Sequence, residues 1–194
     1  MIPTSEHSIL AMKAGEVLKE EELPLKFVGF SPCFRKEAGA HGRDTKGIFR
    51  VHQFNKIEQF IYSTPEQSNA LHEELLKNVE GVFQDLKIPY RVVNICTGDI
   101  GIVASKKYDV EAWMPAQKAY REVASCSNCT SYQSVRSNIK YVDKNGEKKY
   151  PHTLNSTAIA TERALVAIIE NNQTEDGRIR VPDVLKKYVG KDFI

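Results

Sequence analysis

The chain has 194 residues, 41% of them hydrophobic, and its formal net charge is only +2 at pH 7. This length and composition suit one domain with a real core. The small net charge excludes a general polycation, so any contact with nucleic acid must come from a local basic patch. No apolar run approaches the ~20 residues of a membrane helix, and no signal peptide precedes the first motif. We therefore expect a cytoplasmic protein without a membrane partner.

Hydrophobic periodicity, caps and turn signals predict the following elements. In chain order they are a helix over residues 4–19, strands over 28–35 and 49–56, a helix over 64–88, strands over 90–96, 108–114 and 120–126, a hairpin over 140–150, a strand or turn over 153–157, and helices over 158–171 and 182–188. Polar residues fall on both faces of the 49–56 strand, so we expect it to line a wet cleft.

Two short signals carry most weight in this assignment. Thr64, Pro65 and Gln67 fit the N-cap, N1 and N3 positions of a capping box at the start of the longest predicted helix. Asn145-Gly146, the strongest short turn signal, marks the hairpin.

Strand-rich segments crossed by a few long helices indicate an α+β fold, with a mostly antiparallel sheet flanked by helices. The sequence has no βαβ rhythm, no G-x-G-x-x-G and no Walker A pattern. A nucleotide would therefore have to bind on another scaffold. No linker or repeat divides the chain, so we treat residues 1–194 as a single domain.

Cys126 and Cys129 form a C-x-x-C pair, which could begin a zinc site. A structural zinc site needs about four ligands, but there is no second pair and the histidines are scattered. We therefore interpret the cysteines as ordinary reduced thiols of a cytosolic protein.

The stretch from residue 30 to residue 58 is the most informative part of the chain. Its loop combines backbone-freeing glycines with basic residues, namely Gly39, Gly42, Gly47, Lys36, Arg43 and Lys46. Arg35 and Glu37 stand at the entry to this loop. Such a cationic hairpin suits a polyphosphate and its attached base, because arginine offers a rigid fork for phosphate oxygens.

Residues 33–58 have the sequence C-F-R-K-E-A-G-A-H-G-R-D-T-K-G-I-F-R-V-H-Q-F-N-K-I-E. This sequence resembles motif 2 of the class II aminoacyl-tRNA synthetases, and of the seryl-tRNA synthetase family in particular. Three other segments are similar to the same family: residues 1–7 to its T-S-E element, 120–136 to its ATP and metal segment, and 154–173 to its motif 3. The resemblance covers nearly the whole chain. It implies the class II catalytic fold and a serine–tRNA ligase activity.

The resemblance implies an ATP site. Arg35 would contact the α-phosphate, Glu37 the adenine amino group, and Val51 the nucleotide through its backbone. Phe54 and Arg163 would stack on the two faces of the adenine. The implied ATP-binding residues are Arg35, Lys36, Glu37, Val51, Phe54, Glu122, Val123, Ala124, Ser125 and Arg163, of which Arg35 and Arg163 are the implied catalytic residues.

The resemblance also implies that Glu122 and Ser125 are ligands of Mg²⁺, an ion that prefers hard oxygen donors. The family usually reads Glu-Val-Ser-Ser here, whereas this chain has Ala124 in place of the first serine.

The implied serine site consists of Thr4, Ser5, Glu6, Arg35, Glu58, Asn155 and Thr157. Thr4 and Glu6 would flank the amino acid. Glu58 would recognise the serine hydroxyl group by hydrogen bonding, and Thr157 would contact the hydroxyl side of the pocket. A pocket that pairs a hydroxyl rejects an analogue without one, because its buried polar groups are then left unpaired.

Simpler roles remain open for three of these residues. Thr4 could be only a helix cap, and Glu6 only a carboxylate that favours the helix dipole. Arg163, a lone basic residue in an apolar helix, could form an internal ion pair with Glu162 or Glu170.

The implied enzyme uses ATP and Mg²⁺ to join L-serine to tRNA(Ser), and to tRNA(Sec) where present. Arg43 and Lys46 are candidates for contacts with the tRNA acceptor end, with solvated loop charges as the alternative. A coiled-coil arm and motif 1 precede this region in the family, so we expect the chain to be a truncated catalytic domain, the C-terminal part of a longer homodimeric enzyme. A non-catalytic binding or scaffold module, and a zinc-dependent ligase that loads amino acids onto carrier proteins, are the alternatives.

Overall fold

The computed structural model describes residues 1–37 and 47–194. Within these ranges the helices are α1 (Ser5–Met12), α2 (Pro65–Asp85), α3 (Tyr132–Arg136), α4 (Thr161–Asn171) and α5 (Asp183–Val189). The strands are β1 (Val17–Lys19), β2 (Leu25–Phe34), β3 (Gln53–Ser63), β4 (Tyr90–Asn94), β5 (Lys106–Met114), β6 (Ala119–Asn128), β7 (Lys140–Val142), β8 (Lys148–Lys149) and β9 (His152–Ala160). None of the helices seen in this part of the chain is both long and apolar enough to cross a bilayer.

A six-stranded sheet in the order β2-β3-β9-β6-β5-β4 forms the centre of the molecule, and all of its neighbouring strands are antiparallel. A smaller sheet, β1-β7-β8, contains one parallel pair, β1 with β7. The predicted α+β class with a mostly antiparallel sheet is confirmed.

One face of the large sheet is dry and packs against α2 and α4. Because side chains alternate along a strand, every second residue in the second half of β5 enters this core. Val110, Ala112 and Met114 of β5 meet Leu75, Val79 and Phe83 of α2 there, in a cluster that is almost fully buried. This face supplies most of the apolar burial that holds the sheet together.

Helix α1 packs on the opposite face, against β2 and β3. A second cluster, which includes Ile9, Phe60 and Tyr62, fixes this contact, and the Tyr62 hydroxyl donates to the Ile9 carbonyl at 2.8 Å. Gly29 of β2 permits the close approach: a Cβ atom there would lie only 2.8 Å from the Cβ of Ser5. The start of α1 is therefore held directly over the sheet, beside the cleft described below.

The first helix is shorter than predicted. It ends at Met12, and the chain turns at Gly15, whose φ of +78° favours glycine, before it enters β1. The prediction of a helix to residue 19 was therefore wrong, because loosely spaced apolar residues do not show where a helix ends.

Several strand boundaries also differ from the predictions, and two of them concern residues of the cleft. Strand β3 begins at Gln53 rather than at residue 49, and Phe49 itself enters the main core. Residues 158–160 belong to β9, a central strand, and α4 begins only at Thr161. The apolar run from 158 onward is equally compatible with a buried strand and a buried helix, so periodicity did not separate them.

The long helix α2 begins at Pro65 with Thr64 as N-cap, as predicted, but Thr64 makes no side-chain capping hydrogen bond, so the predicted capping box is absent. The hairpin at Asn145-Gly146 is confirmed: β7 and β8 pair on either side of it, and Gly146 has a φ of +82°. Strand β1 and helix α3 were not predicted.

Candidate active site

A cleft opens on the sheet face opposite α2, lined by residues of β3, β6 and β9 and by Thr4 and Glu6 at the start of α1. It encloses about 760 Å³, its open mouth included. Every predicted site residue in the described ranges lines this cleft except Ser5 and Lys36. Arg35 and Arg163, far apart in sequence, both lie on its wall.

The exceptions have simple explanations. The hydroxyl of Ser5 turns away from the cleft, toward the Gly29 carbonyl at 3.3 Å and the Ser31 hydroxyl at 3.1 Å. The side chain of Lys36 is exposed. The predicted acceptor-end residues Arg43 and Lys46 lie outside the described residues.

One end of the cleft contains the Glu6 carboxylate. Thr4 caps α1 by accepting from the Glu6 amide at 3.2 Å, which confirms its role as an N-cap, and it also lines the cleft. Glu6 Oε1 accepts from Gln133 Nε2 at 2.6 Å and from Asn155 Nδ2 at 3.3 Å. These amide donors orient the carboxylate without neutralising it, so it remains available for a cationic group.

Beside it lies a second, more deeply buried carboxylate. Glu58 is 1% exposed, and its Oε2 atom lies 2.5 Å from Nζ of Lys56 and 3.4 Å from the Thr157 hydroxyl. Burial raises the pKa of Glu58, while the Lys56 ammonium opposes that rise and the nearby Glu6 charge adds to it. Strands β3 and β9 pair Glu58 with Thr157 directly, which places the carboxylate and the hydroxyl on the same face.

Two guanidinium groups also line the cleft. The Arg35 guanidinium carbon lies 5.1 Å from the centre of the Phe54 ring, and that of Arg163 lies 4.9 Å from the Phe49 ring. Arg163 also donates to the Glu122 backbone carbonyl at 2.8 Å, and its Nη1 lies 3.4 Å from the Glu122 carboxylate. At these distances each guanidinium makes a cation–π contact with its ring.

Glu122, rather than Glu162 or Glu170, is therefore the ion-pair partner of Arg163. Glu162 accepts from the Asn55 amide at 3.0 Å, and Glu170 from the Ala116 amide at 3.0 Å. The alternative ion pairs considered from the sequence were wrong.

The residues on either side of segment 38–46 also line the cleft. Glu37 has a φ of +51°, uncommon for a residue with a side chain, and its carboxylate lies 2.5 Å from Arg50 Nη1. Arg35 Nε donates to the Pro3 carbonyl at 3.3 Å, which connects Arg35 to the residues before α1.

Oxygen donors suitable for a divalent cation lie on the β6 wall. A register shift between β5 and β6 places Glu122 opposite Glu111 and Ser125 opposite Asp109. Burial and the charge of Glu122 raise the pKa of Asp109 to about 6. The carboxylate of Glu122 and the hydroxyl of Ser125 are hard donors of the kind that Mg²⁺ prefers.

The cysteine pair does not form a common site. The Cys126 thiol faces the carbonyl of His72 in α2, whereas Cys129 Sγ lies 3.4 Å from Asn155 Nδ2 on the cleft side. All four cysteines are free. In residues 1–37 and 47–194, no group of three or more His, Cys, Asp or Glu side chains is arranged to hold a metal.

The sequence interpretation missed several residues of this cleft. Those that line it or support it are Phe49, Arg50, Lys56, Ala160, Glu162 and Gln133. Lys56 could have been found, because it stands two residues before Glu58 on the same strand and must share its face. Phe49 and Gln133 reach the site only through the tertiary fold, so no sequence spacing indicated them.

Comparison with protein families matches residues 1–172 to the tRNA synthetase class II core domain (G, H, P, S and T). The chain is 64% identical to a serine–tRNA ligase of Archaeoglobus fulgidus, with 100% of this chain and 45% of the relative covered. It is 63% identical to the serine–tRNA ligase of Pyrococcus horikoshii, over 98% of this chain and 42% of the relative. The chain thus spans less than half the length of these relatives.

Solved structures agree with the sequence comparison. A crystal structure of seryl-tRNA synthetase from Pyrococcus horikoshii complexed with ATP matches with a TM-score of 0.97 at 62% identity, covering 100% of this chain and 44% of that one. The cytoplasmic serine–tRNA ligase of Naegleria fowleri in complex with AMP matches with a TM-score of 0.95 at 50% identity, covering 100% and 46%. A prolyl-tRNA synthetase of Giardia lamblia, with a TM-score of 0.84 at 22% identity and covering 95% and 36%, shares the fold.

Proposed function

The chain belongs to the family of class II tRNA synthetase core domains, and on that premise we propose that it provides the catalytic centre of a serine–tRNA ligase. One observation carries the proposal. A single cleft contains two arginines suited to phosphate and adenine, Arg35 and Arg163, and a buried carboxylate–hydroxyl pair, Glu58 with Thr157, suited to a hydroxymethyl side chain. The names of its relatives point the same way.

In the proposed complex the amino acid lies between the carboxylates of Glu6 and Glu58. Glu6 would accept hydrogen bonds from its ammonium group, while Glu58 and Thr157 would pair with its hydroxyl group. Its carboxylate would then point toward Arg35. An alanine would leave the Glu58 side of the pocket without its partner, which is a strong basis for rejection.

In the first reaction step, a carboxylate oxygen of serine attacks the α-phosphorus of ATP. The new C–O–P linkage forms as the bond to the β-phosphate breaks, and pyrophosphate leaves with the electron pair. No protein nucleophile is needed. Arg35 and Arg163 align the nucleotide and offset the charge that develops on its phosphates.

In the second step, a hydroxyl group on the terminal ribose of tRNA attacks the serine carbonyl carbon of the adenylate. The ester bond forms as the bond from the carbonyl carbon to the phosphate oxygen of AMP breaks, AMP leaves with the electron pair, and the hydroxyl proton passes to a phosphate oxygen of AMP or to water. Arg43 and Lys46 belong to the segment that we propose meets the acceptor end of the tRNA.

Glu122 and Ser125 would hold Mg²⁺, which when bound supplies positive charge to the phosphate groups. The residues fit this ion because they offer hard oxygen donors on one wall of the cleft. The Ala124 that replaces the family's serine lies between them and supplies no side-chain donor.

The remaining properties that we propose concern the longer enzyme. Its partners would be L-serine and tRNA(Ser), together with tRNA(Sec) where that tRNA exists. It would act as a homodimer in the cytoplasm.

Serine-dependent exchange between ATP and labelled pyrophosphate tests this proposal, with alanine and threonine as comparison substrates. We expect exchange with serine, and its loss in Arg35→Ala and in Glu58→Ala. Exchange that both substitutions leave intact would refute the site assignment. ATP binding without any exchange would favour a non-catalytic module, and one tightly bound zinc ion would favour the carrier-protein ligase.

A further inference from the structure

The proposed reaction assigns no role to Lys56, yet this lysine is among the most deeply buried charged groups of the molecule. It is 6% exposed, and its ammonium lies 2.5 Å from the carboxylate of Glu58. Burying a lysine is costly unless a partner compensates the charge. Strand geometry makes this contact direct, because residues 56 and 58 lie on the same face of β3.

The neighbouring carboxylates of Glu6 and Glu58 have different partners. Within residues 1–37 and 47–194, the donors to the Glu6 carboxylate are the side-chain amides of Gln133 and Asn155, so this carboxylate is available for an ammonium group of the substrate. The charge of Glu58 is matched by Lys56 instead. Among the described residues, the two neighbouring carboxylates of Glu6 and Glu58 therefore differ, because Glu58 has a cationic partner and Glu6 has none.

We propose that Lys56 is a positioning residue that determines which side chain the pocket accepts. Its ammonium holds the Glu58 carboxylate ionised and in place, so that the pair accepts a hydrogen bond from an uncharged hydroxyl group. Without the lysine, Glu58 would either take up a proton or attract a cationic side chain in place of Lys56. This inference rests on the proposed function, since it assumes that Glu58 faces the side chain of the amino acid.

The test compares L-serine with L-2,3-diaminopropionate, which has the same chain length but ends in an ammonium group. In Lys56→Met we expect the serine KM in pyrophosphate exchange to rise at least about tenfold, while the KM for ATP stays the same. The preference for serine over diaminopropionate should fall by at least about tenfold, because the substrate can now supply the missing cation. Lys56→Arg keeps the charge and should retain the preference.

A spectroscopic readout follows the same group without any substrate. In protein labelled with ¹³C at the glutamate carboxyl, the signal that disappears in Glu58→Gln belongs to residue 58. We expect that signal to report an ionised carboxylate in the wild-type chain at neutral pH and a protonated carboxyl in Lys56→Met. This measurement separates the two proposals: a chain without serine-dependent exchange would refute the proposed function, while the carboxyl signal would still decide the role of Lys56.

Lys26→Met is the matched control. Lys26 also pairs with a glutamate, Glu74 at 2.7 Å, but this pair is exposed on β2 and α2 and lies outside the cleft. We expect no change in KM, preference or carboxyl signal. If Lys56→Met folds poorly, the double variant Lys56→Met/Glu58→Gln should fold better than either single variant, because it buries no unpaired charge.

Two results would overturn the inference. The first is a Lys56→Met protein with unchanged serine KM, preference and carboxyl signal. The second is a variant whose turnover falls while serine KM and preference stay the same, since Lys56 would then act on the reacting groups rather than through Glu58.

Discussion

The two faces of the six-stranded sheet come from the same strands but have opposite chemistry. Along β9, Leu154 points into the apolar core beneath α2, while its neighbour Asn155 and the nearby Thr157 line the cleft. The core face gains free energy from burial, at about 25 cal/mol per Å² of apolar surface. The cleft face instead buries Lys56 and Glu58, whose desolvation opposes their mutual attraction.

The core face of the sheet therefore contributes mainly to stability, and the cleft face mainly to ligand recognition. Substitutions on the core face should lower stability and leave the ligand affinity of the folded protein almost unchanged. Substitutions in the cleft should mainly lower ligand affinity, except at the buried pair of Lys56 and Glu58, where loss of one partner should also lower stability. Gly29 allows α1 to pack closely on the sheet, so a substitution there should change both stability and ligand affinity.

The largest expected effect is on the core face. Phe83 of α2 is 1% exposed, and Phe83→Ala should lower the free energy of unfolding by about 3–5 kcal/mol through lost burial and a cavity. Urea denaturation followed by circular dichroism measures this change. Phe30→Ala, at a phenylalanine that is 68% exposed on β2, is the control and should change stability by less than about 0.5 kcal/mol. Equal losses in both variants would contradict the assignment of the core.

The next effect is in the cleft. Arg163→Ala should weaken ATP binding about 100-fold, or about 3 kcal/mol, because it removes a charged donor and a stacking surface. Stability should change by no more than about 1 kcal/mol, since the guanidinium is partly exposed. Calorimetric titration with ATP measures the affinity. Arg178→Ala is the control, because Arg178 also combines a carboxylate partner, Asp176, with a ring, Phe193, but lies away from the cleft. An ATP affinity that drops equally in both variants would refute the predicted role.

A smaller effect, on both stability and ligand affinity, is expected at Gly29. In Gly29→Ala the new methyl group would meet Ser5 and Ile9, and moving α1 away should cost about 1–3 kcal/mol of stability. Because Thr4 and Glu6 move with α1, serine affinity should fall more than ATP affinity. Thermal unfolding and separate titrations of the two ligands check this. Val28→Ala, at an exposed neighbour, should alter neither, and an equal fall in both affinities would argue against a specific effect of α1.

The smallest effect concerns the thiols. Cys96 is exposed, whereas Cys33, Cys126 and Cys129 are buried, and burial raises the pKa of Cys126 and of Cys129 to about 12. At about pH 8 we expect one thiol to react rapidly with a disulfide reagent and the others only on unfolding, because the thiolate is the reactive form. More than one fast-reacting thiol in the native protein would contradict the structure.

The same shifts predict a pH dependence of stability. Because the folded pKa of Cys126 and Cys129 exceeds the ordinary thiol value of 9.0, their contribution is complete below about pH 9 and is lost as the pH rises toward about 12. Denaturation at several alkaline pH values should show a decline that becomes shallower in Cys126→Ala. An unchanged slope in that variant would exclude this thiol as a cause.

The sequence was sufficient for the fold class and for most of the residues in the cleft. Spaced apolar residues located α2, the Asn145-Gly146 turn located the β7–β8 hairpin, and the motif around Arg35 pointed to a nucleotide site. These features are local, since each depends on a few neighbouring residues whose spacing determines which face or turn they form. The resemblance to a family added the roles of residues such as Glu6 and Asn155, which remain predictions.

Only the tertiary structure decided which distant groups meet. The run 158–160 became part of a strand rather than a helix because β9 continues along β3, where Ile159 and Ala160 pair with Ile57 and Lys56, and this pairing cannot be read from the run itself. The pairing of Arg163 with Glu122 and the contact of Gln133 with Glu6 join segments that are separated along the chain. Sequence patterns determine the shape and the faces of each element, whereas contacts between elements depend on how those faces pack, and that packing placed the charges of this cleft.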